Sequence, residues 1–196
     1  AGSTEEQLAL VQEVQHDYLR GGILHIDFHA VAADEEIQKL LSGIVDIEKS
    51  PLVNANILSE YVYKNFEYKK GVTSIETKVD EIWQLKAGVC QDFAHLGISC
   101  MHAMGLPAKY ISGYIETLAP EGKVKLTGVD ASHAWFSAYV PDMGWCEFDP
   151  TNNLVPGENH IITAYGRDYA DVAPMKGIIF SSGKHTVKVE VDVIRN

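Results

Sequence analysis

Cysteine is scarce in this chain, which has three among its 196 residues, at positions 90, 100 and 146. The number is odd and no two of them form a C-x-x-C pair, which argues against a disulfide framework, a zinc ribbon and thioredoxin-like chemistry. The N-x-S/T glycosylation sequon is also missing. A chain of this length buries roughly 70% of its unfolded surface, so it needs neither a disulfide nor a structural metal to fold.

Long apolar runs and an excess of positive charge are absent too. No apolar stretch approaches the roughly 18 residues of a membrane span, and the first residues, Ala1-Gly2-Ser3-Thr4, show no signal-peptide pattern. The net charge of −11, from 27 acidic and 16 basic residues, repels phosphate backbones. We therefore expect no membrane partner, no nucleic-acid partner and a cytoplasmic location.

Helical spacing dominates the first half of the sequence and strand patterns dominate the second. Apolar residues at intervals of three and four predict helices near residues 8–19, 37–45, 51–66, 79–85 and 90–104. Strands are predicted at 108–115, 124–126, 134–140, 144–148, 178–181 and 186–194. Residues 150–176 are irregular and polar, which is typical of a loop that carries site residues. Helices followed by strands indicate an α+β fold with an antiparallel sheet.

One cysteine occupies an unusual position. Gly88-Val89-Cys90 places it after a glycine turn, in the first turn of a predicted helix. Helix N-termini carry about half a positive charge and unpaired N–H groups, and both favour a thiolate over a thiol. Cys90 is therefore the candidate nucleophile. Cys100, in the same apolar helix, and Cys146, in a strand, are typical of core packing.

A thiolate nucleophile needs a base and a group that orients the base. His133 precedes the strand at 134–140, where Trp135 would shield it from water, and Asp149 ends the next strand. A turn at 141–144 would bring His133 and Asp149 side by side. Asp149 also suits a simple turn before Pro150, so from the residues alone both readings stay open.

Four further residues are candidates for binding substrate. Gln84 lies six positions before Cys90 and could direct an amide N–H towards an oxyanion, the alternative being exposure on a polar helix face. Arg167 and Tyr169, in the irregular segment, and Trp135 are candidates to line a substrate cleft. A structural salt bridge would explain Arg167 equally well.

The ionisable residues on the Cys90 helix have less clear roles. Asp92 would oppose a thiolate two residues away, so we expect it to pair elsewhere, with a lysine or an arginine. His95 and His102 lie on the same helix but form no compact metal-ligand spacing. We therefore expect no metal and no cofactor.

Several motifs together resemble the bacterial transglutaminase-like family. They are Cys90-Gln91-Asp92-Phe93-Ala94-His95, Gly105-Leu106-Pro107-Ala108, Asp130-Ala131-Ser132-His133-Ala134-Trp135, Phe148-Asp149-Pro150-Thr151-Asn152 and Tyr165-Gly166-Arg167-Asp168-Tyr169. The resemblance extends upstream to about Asp34. It implies a catalytic domain over residues 34–196, preceded by an N-terminal helix and extension over residues 1–33.

The resemblance implies a papain-like core in which the catalytic helix packs on an antiparallel sheet. It assigns Cys90 as nucleophile, His133 as general base and then acid, and Asp149 as the orienting group. Members are often described as cysteine proteases. The expected function is thiol-dependent hydrolysis of a peptide or protein amide through a thioester acyl-enzyme. Acyl transfer to an amine, as in a transglutaminase, and a non-catalytic binding module of the same fold are the alternatives.

Overall fold

A computed structural model describes residues 41, 43–46, 48–117, 131–173 and 190–194 of the chain. The predicted helix at 8–19, the domain boundary at residue 33, and the strands at 124–126 and 178–181 lie outside these residues, as do most of 37–45 and residues 186–189. Residues 190–194 of the strand predicted at 186–194 are described, and they form a single bridge at Val191 instead of a regular strand. Within the described ranges, no helix has both the length and the apolar character to cross a membrane.

Two helices confirm the apolar periodicity ahead of Cys90. Helix α1 spans Pro51–Asn65 and helix α2 spans Val79–Leu85. The Ser50 hydroxyl caps α1 by accepting the N–H of Val53, and proline fits the first turn because its missing N–H would have no helical partner there. Both helices bury an apolar side, with Leu58, Val62 and Ile82 fully enclosed.

A small two-stranded sheet, which was not among the predicted elements, joins these helices to the segment that leads to Cys90. Strand β1 (Glu67–Tyr68) pairs in parallel with strand β2 (Ala87–Gly88). Helix α1 ends at Asn65, and the backbone becomes extended at Phe66 (φ −119°, ψ 136°), which leads the chain into β1. The pairing places Tyr68 opposite Gly88, two residues before the helix that begins at Cys90.

Helix α3 (Cys90–Ala103) is the central helix and confirms the prediction that it is apolar on most sides. It ends at a left-handed glycine, Gly105 (φ 75°), whose N–H bonds the carbonyl of His102 while the N–H of Leu106 bonds that of Met101. Backbone bonds that reach back over the last turn are characteristic of a glycine C-cap. The helix therefore begins at Cys90 and ends where the glycine directs the chain into the sheet.

The main sheet has four antiparallel strands in the order β5-β4-β3-β6. The strands are β3 (Ala108–Ile115), β4 (Ala131–Val140), β5 (Gly144–Phe148) and β6 (His160–Gly166). Strands β3, β4 and β5 confirm the predicted strands, with β4 three residues longer at its start. A short helix, α4 (Tyr169–Val172), follows β6.

Strand β6 and helix α4 correct the prediction that residues 150–176 are irregular. Strand β6 pairs with β3 across a shift in register between Ser112 and Gly113. A Cβ at Gly113 would lie 2.1 Å from the carbonyl oxygen of Ile161 and 2.7 Å from the ring of Trp135. Glycine at this position lets the β6 backbone approach more closely than any side chain allows.

Helix α3 lies between two apolar clusters and packs directly on the sheet. On one side, Ala94, Ile98 and Met101 meet Tyr110, Phe136 and Phe148 of the sheet. On the other side, Phe93, Leu96 and Cys100 meet side chains of α1 and α2. The contact with the sheet is close, because a Cβ at Gly97 would lie 2.5 Å from the ring of Phe136. The predicted α+β arrangement, with the catalytic helix on an antiparallel sheet, is confirmed.

Candidate active site

The start of α3 is shaped by Asp92. This carboxylate is buried, accepts the N–H of Val89 at 2.8 Å and accepts the hydroxyl of Thr73 at 2.6 Å. A Cβ at Gly88 would lie 2.7 Å from the Asp92 carboxylate. Glycine is therefore required where the Asp92 side chain turns back to the N–H of Val89. The expectation that Asp92 pairs with a lysine or an arginine is wrong. It caps the helix whose first residue is Cys90, and an acidic side chain is favourable there.

The sheet brings His133 and Asp149 together. His133 lies near the start of β4 and Asp149 follows β5, so the turn between these strands places both at the same end of the sheet. Nε2 of His133 lies 2.8 Å from Oδ2 of Asp149, and the two side chains are 7% and 0% exposed. An ionised carboxylate only accepts, so this imidazole nitrogen carries the hydrogen.

The electrostatics of the pair favour a protonated imidazole. Burial alone lowers the pKa of His133, but hydrogen bonds to Asp149 and Cys90, together with their charges, raise it to about 9. Burial alone raises the pKa of Asp149, but hydrogen bonds from His133, His160 and Asn152 and the His133 charge hold it well below its usual range. The arrangement therefore stabilises an imidazolium between Cys90 and a carboxylate.

Asp149 receives more hydrogen bonds than the sequence analysis anticipated. Its Oδ2 also accepts from Nδ2 of Asn152 at 2.7 Å and from Nε2 of His160 at 3.1 Å. Its Oδ1 accepts the backbone N–H groups of Thr151 and Asn152 at 3.0 and 3.2 Å. In the sequence, Asn152 belongs to a turn motif and His160 lies in a segment without a regular hydrophobic pattern, so neither residue has a local signal that points to Asp149.

Cys90 and His133 open onto a cavity of about 520 Å³. Its described lining includes the hydroxyl-bearing residues Tyr68, Tyr110, Tyr169 and Ser112, together with Gln91 and Lys70. Burial and the nearby Cys90 both raise the pKa of Tyr68, and the same two causes are the largest that raise the pKa of Tyr110. Both phenols therefore remain protonated and can donate hydrogen bonds over the physiological range.

The four predicted substrate-binding residues occupy different environments. Tyr169 lines the cavity, whereas Gln84 is exposed on α2 and lies outside it. Arg167 is exposed and forms the alternative salt bridge, with Nε 2.8 Å from Oδ2 of Asp171. Trp135 is fully buried, and its Nε1–H donates to Glu147 at 2.6 Å. Of the four, Tyr169 is the one that lines the cavity beside Cys90.

The ring of Trp135 shields the imidazoles from solvent. It stacks on His133 with ring centroids 5.8 Å apart and meets His160 edge-on at 5.1 Å. This placement agrees with the shielding that the sequence analysis anticipated for Trp135, and it removes the indole from the cavity surface.

The ligand-type atoms of His133, Asp149 and His160 all lie within 4.8 Å of one another. Two imidazoles and a carboxylate form a donor set that transition metals accept. In this cluster, however, Nε2 of His133 and Nε2 of His160 are each within hydrogen-bond distance of the carboxylate. The Asn152 amide donates to the same oxygen. Each of the three groups therefore has a hydrogen-bond partner within the cluster.

A cysteine at the N-terminus of a central helix, packed on an antiparallel sheet that presents a histidine–aspartate pair, defines the papain-like class of fold. The model of the Transglutaminase-like superfamily matches residues 38–150. The chain belongs to this superfamily.

Known proteins similar to the chain agree with this assignment. The uncharacterized protein Rv2569c of Mycobacterium tuberculosis is 43% identical over 154 residues, which cover 76% of this chain and 49% of that protein. The crystal structure of a "Putative Cysteine Protease" from Cytophaga hutchinsonii is similar with a TM-score of 0.60 and 34% identity, over 71% of this chain and 44% of that one. A protein-glutamine gamma-glutamyltransferase of Pseudomonas aeruginosa is 29% identical over 105 residues, 52% of this chain and 16% of that protein. The chain spans about half the length of the mycobacterial relatives that it matches.

Proposed function

We propose that this chain is the catalytic region of a cysteine-dependent hydrolase that cleaves amide bonds in peptides or proteins. Cys90 is the nucleophile, His133 the general acid and base, and Asp149 the group that orients His133. The observation that carries the proposal is the buried 2.8 Å hydrogen bond between His133 and Asp149, together with the position of Cys90 and His133 in the lining of one cavity.

The reaction begins with the Cys90 thiolate beside the His133 imidazolium. A pKa of about 9 keeps His133 protonated at neutral pH. The thiolate attacks the amide carbonyl, and His133 donates its proton to the leaving amine as the carbon–nitrogen bond breaks. A thioester on Cys90 remains. Water then attacks the thioester, His133 takes the proton from that water, and the carboxylic acid and the thiolate are released.

The oxyanion formed in each step needs hydrogen-bond donors. The first N–H groups of a helix have no partner within the helix, so the N–H of Cys90 is one candidate donor. The Tyr68 phenol lines the same cavity and lies close enough to Cys90 for the thiolate charge to raise its pKa. We propose Tyr68 as the second donor, in place of Gln84. Loss of one such donor typically slows catalysis by about 10²–10³-fold.

Acyl transfer is the second candidate function. It is favoured by the similarity to a protein-glutamine gamma-glutamyltransferase. The same thioester would form, and a primary amine in place of water would resolve it. Hydrolysis and transfer therefore share Cys90, His133 and Asp149 and differ only in what enters the cavity second.

The first experiment tests Cys90 as nucleophile. The wild type, Cys90→Ala and a matched control, Cys146→Ala, are incubated with fluorescein-labelled casein and with glutamine-containing peptides, and new amino groups, ammonia and peptide fragments are measured. We expect turnover by the wild type and Cys146→Ala but not by Cys90→Ala. Equal turnover by Cys90→Ala would exclude Cys90 as nucleophile.

Alkylation gives a test of Cys90 that needs no substrate. Burial raises the pKa of Cys100 to about 12 and also raises that of Cys146. Iodoacetamide at pH 6–7 should therefore modify Cys90 much faster than the other two cysteines, as read by mass spectrometry of tryptic peptides. Equal labelling rates would contradict an activated thiolate at Cys90.

A second experiment separates hydrolysis from transfer. Dansylcadaverine is added to the casein reaction, and the fluorescence bound to protein is compared with the free acid formed. Hydrolysis predicts free acid with little bound fluorescence at millimolar amine. Bound fluorescence as the main product, lost in Cys90→Ala, would favour the transferase.

A further inference from the structure

Two imidazoles converge on one carboxylate oxygen beside the nucleophile. Nε2 of His133 and Nε2 of His160 lie 2.8 and 3.1 Å from the same Oδ2 of Asp149. The three side chains are 7%, 4% and 0% exposed. We infer that His160 is a positioning residue for this reaction, holding the Asp149 carboxylate in the orientation that His133 requires. The inference rests on the proposed roles of Cys90, His133 and Asp149.

The backbone fixes where His160 comes from. It is the first residue of β6, on the opposite edge of the sheet from β5, which ends just before Asp149. Its N–H donates to the carbonyl of Gly157 at 2.9 Å, and it pairs with Ile115 of β3. The side-chain bond from His160 to Asp149 therefore joins the two edges of the sheet at the end that carries the site.

The surrounding rings restrict how far His160 can move. Its ring meets the edge of Trp135 at 5.1 Å and lies 5.9 Å from the ring of His133. Trp135 is in turn held by Glu147. An imidazole enclosed in this way directs its Nε2–H at Asp149 with little freedom to rotate away.

A second imidazole donor has a specific use in this mechanism. His133 changes from imidazolium to imidazole each time it donates its proton, so the strength of its own bond to Asp149 changes during turnover. A donor that takes no part in proton transfer keeps the carboxylate in place through that change. The hydrogen bond from His160 also contributes to the low pKa of Asp149, which keeps the carboxylate ionised.

Two substitutions separate a donor role from a packing role. His160→Gln retains an N–H donor of similar reach, and His160→Leu retains volume without a donor. The readout is the rate of iodoacetamide alkylation of Cys90 between pH 5 and pH 10, which reports the Cys90–His133 pair without requiring turnover. The unfolding temperature of each variant is measured alongside.

We expect His160→Leu to slow alkylation at pH 6 by about tenfold, in line with the loss of a hydrogen bond to a charged group. The deficit should close towards pH 10, where a thiolate forms without an imidazolium partner. His160→Gln should stay within about threefold of the wild type. The inference is overturned if His160→Leu matches the wild type, or if His160→Leu reacts as fast as or faster than His160→Gln.

NMR of the wild type provides a test if His160→Leu does not fold. The inference requires Nε2 of His160 to carry a hydrogen that is bonded to Asp149. Nitrogen-15 spectra that show the Nδ1–H tautomer for His160 would overturn it. A wild type in which Cys90 is not activated, but His160 carries the Nε2–H, would instead refute the proposed function and leave the contact intact.

Discussion

Nε2 of His95 accepts the backbone N–H of Tyr169 at 3.1 Å, although 74 residues separate the two in sequence. His95 lies on α3 just after Cys90, and the Tyr169 side chain lines the cavity. The bond therefore links the wall of the cavity to α3. A nitrogen that accepts cannot carry a hydrogen, so His95 is neutral with its proton on Nδ1.

Acid should weaken this link between helix and cleft. Burial lowers the pKa of His95, although Asp168 and Asp92 oppose the shift. Because the folded pKa lies below the unfolded value of about 6.5, the unfolded chain binds more protons, and stability falls as the pH drops below about 6.5. His95→Gln retains an acceptor that does not titrate. Urea unfolding at pH 8, 6.5 and 5 should show a smaller loss of unfolding free energy in His95→Gln than in the wild type. Parallel losses would contradict this account.

The helix that begins at Cys90 should depend on the absence of a side chain at position 88. Gly88→Ala would place a Cβ 2.7 Å from the buried Asp92 carboxylate, which cannot move without losing its bonds to Val89 and Thr73. We expect a loss of about 1–3 kcal/mol in unfolding free energy, typical of overpacking, together with slower alkylation of Cys90. Denaturant titration measures the first quantity.

Gly157→Ala is the matched control, because a Cβ there would meet nothing within 4 Å. It should change the unfolding free energy by no more than about 0.5 kcal/mol. An equal effect from both substitutions would show that the contact with Asp92 is not the cause.

The elements that the sequence predicted well are those whose burial repeats regularly. Helix α3 is apolar on most sides and ends at a glycine, and β3, β4 and β5 are bounded by turn residues. Strand β6 could not be recognised, because Ile161, Ile162 and Tyr165 are exposed and the strand is defined by backbone pairing with β3 across a register shift. Backbone pairing over a long sequence distance leaves no periodic signal.

The same distinction applies to the candidate site. Cys90, His133 and Asp149 can be predicted as a group because each occupies a recognisable local position, at a helix start, a strand start and a strand end. His160 has no such local signal, since its partner lies across the sheet. Gln84 was judged by its distance from Cys90 along the chain, whereas β1 places Tyr68, 22 positions before Cys90, at the cavity.

Amide hydrolysis should fall as the pH rises through about 9. His133, with its pKa raised to about 9, then loses the proton that it donates to the leaving amine. Alkylation of Cys90 by iodoacetamide uses the thiolate and needs no proton from His133, so it should not fall over the same range. Initial rates between pH 6 and pH 10.5 measure both. A parallel decline of alkylation and hydrolysis would indicate unfolding instead.

Removal of the Asp149 charge should move the alkaline decline of amide hydrolysis to lower pH. Asp149→Asn keeps an acceptor for His133 but removes the negative charge that helps to raise its pKa. We expect hydrolysis at pH 7 to drop by at least about 10²-fold, within the usual contribution of general acid–base catalysis. If hydrolysis by Asp149→Asn still declined near pH 9, the charge of Asp149 would not be what keeps His133 protonated.

The charge of Lys70 should select among small reagents that reach Cys90. Lys70 lines the cavity, whereas its neighbour Lys69 is outside the lining and lies 3.8 Å from Glu67. Iodoacetate is an anion and iodoacetamide is neutral, so the ratio of their alkylation rates reports the field at the cavity without any knowledge of the substrate. Lys70→Gln should lower the rate with iodoacetate relative to the rate with iodoacetamide by about two- to fivefold at low ionic strength, where screening is weak. Lys69→Gln should leave it unchanged, because its charge is already offset by Glu67 and faces solvent. Equal effects from both lysines would show that net charge, not the position of Lys70, governs access to Cys90.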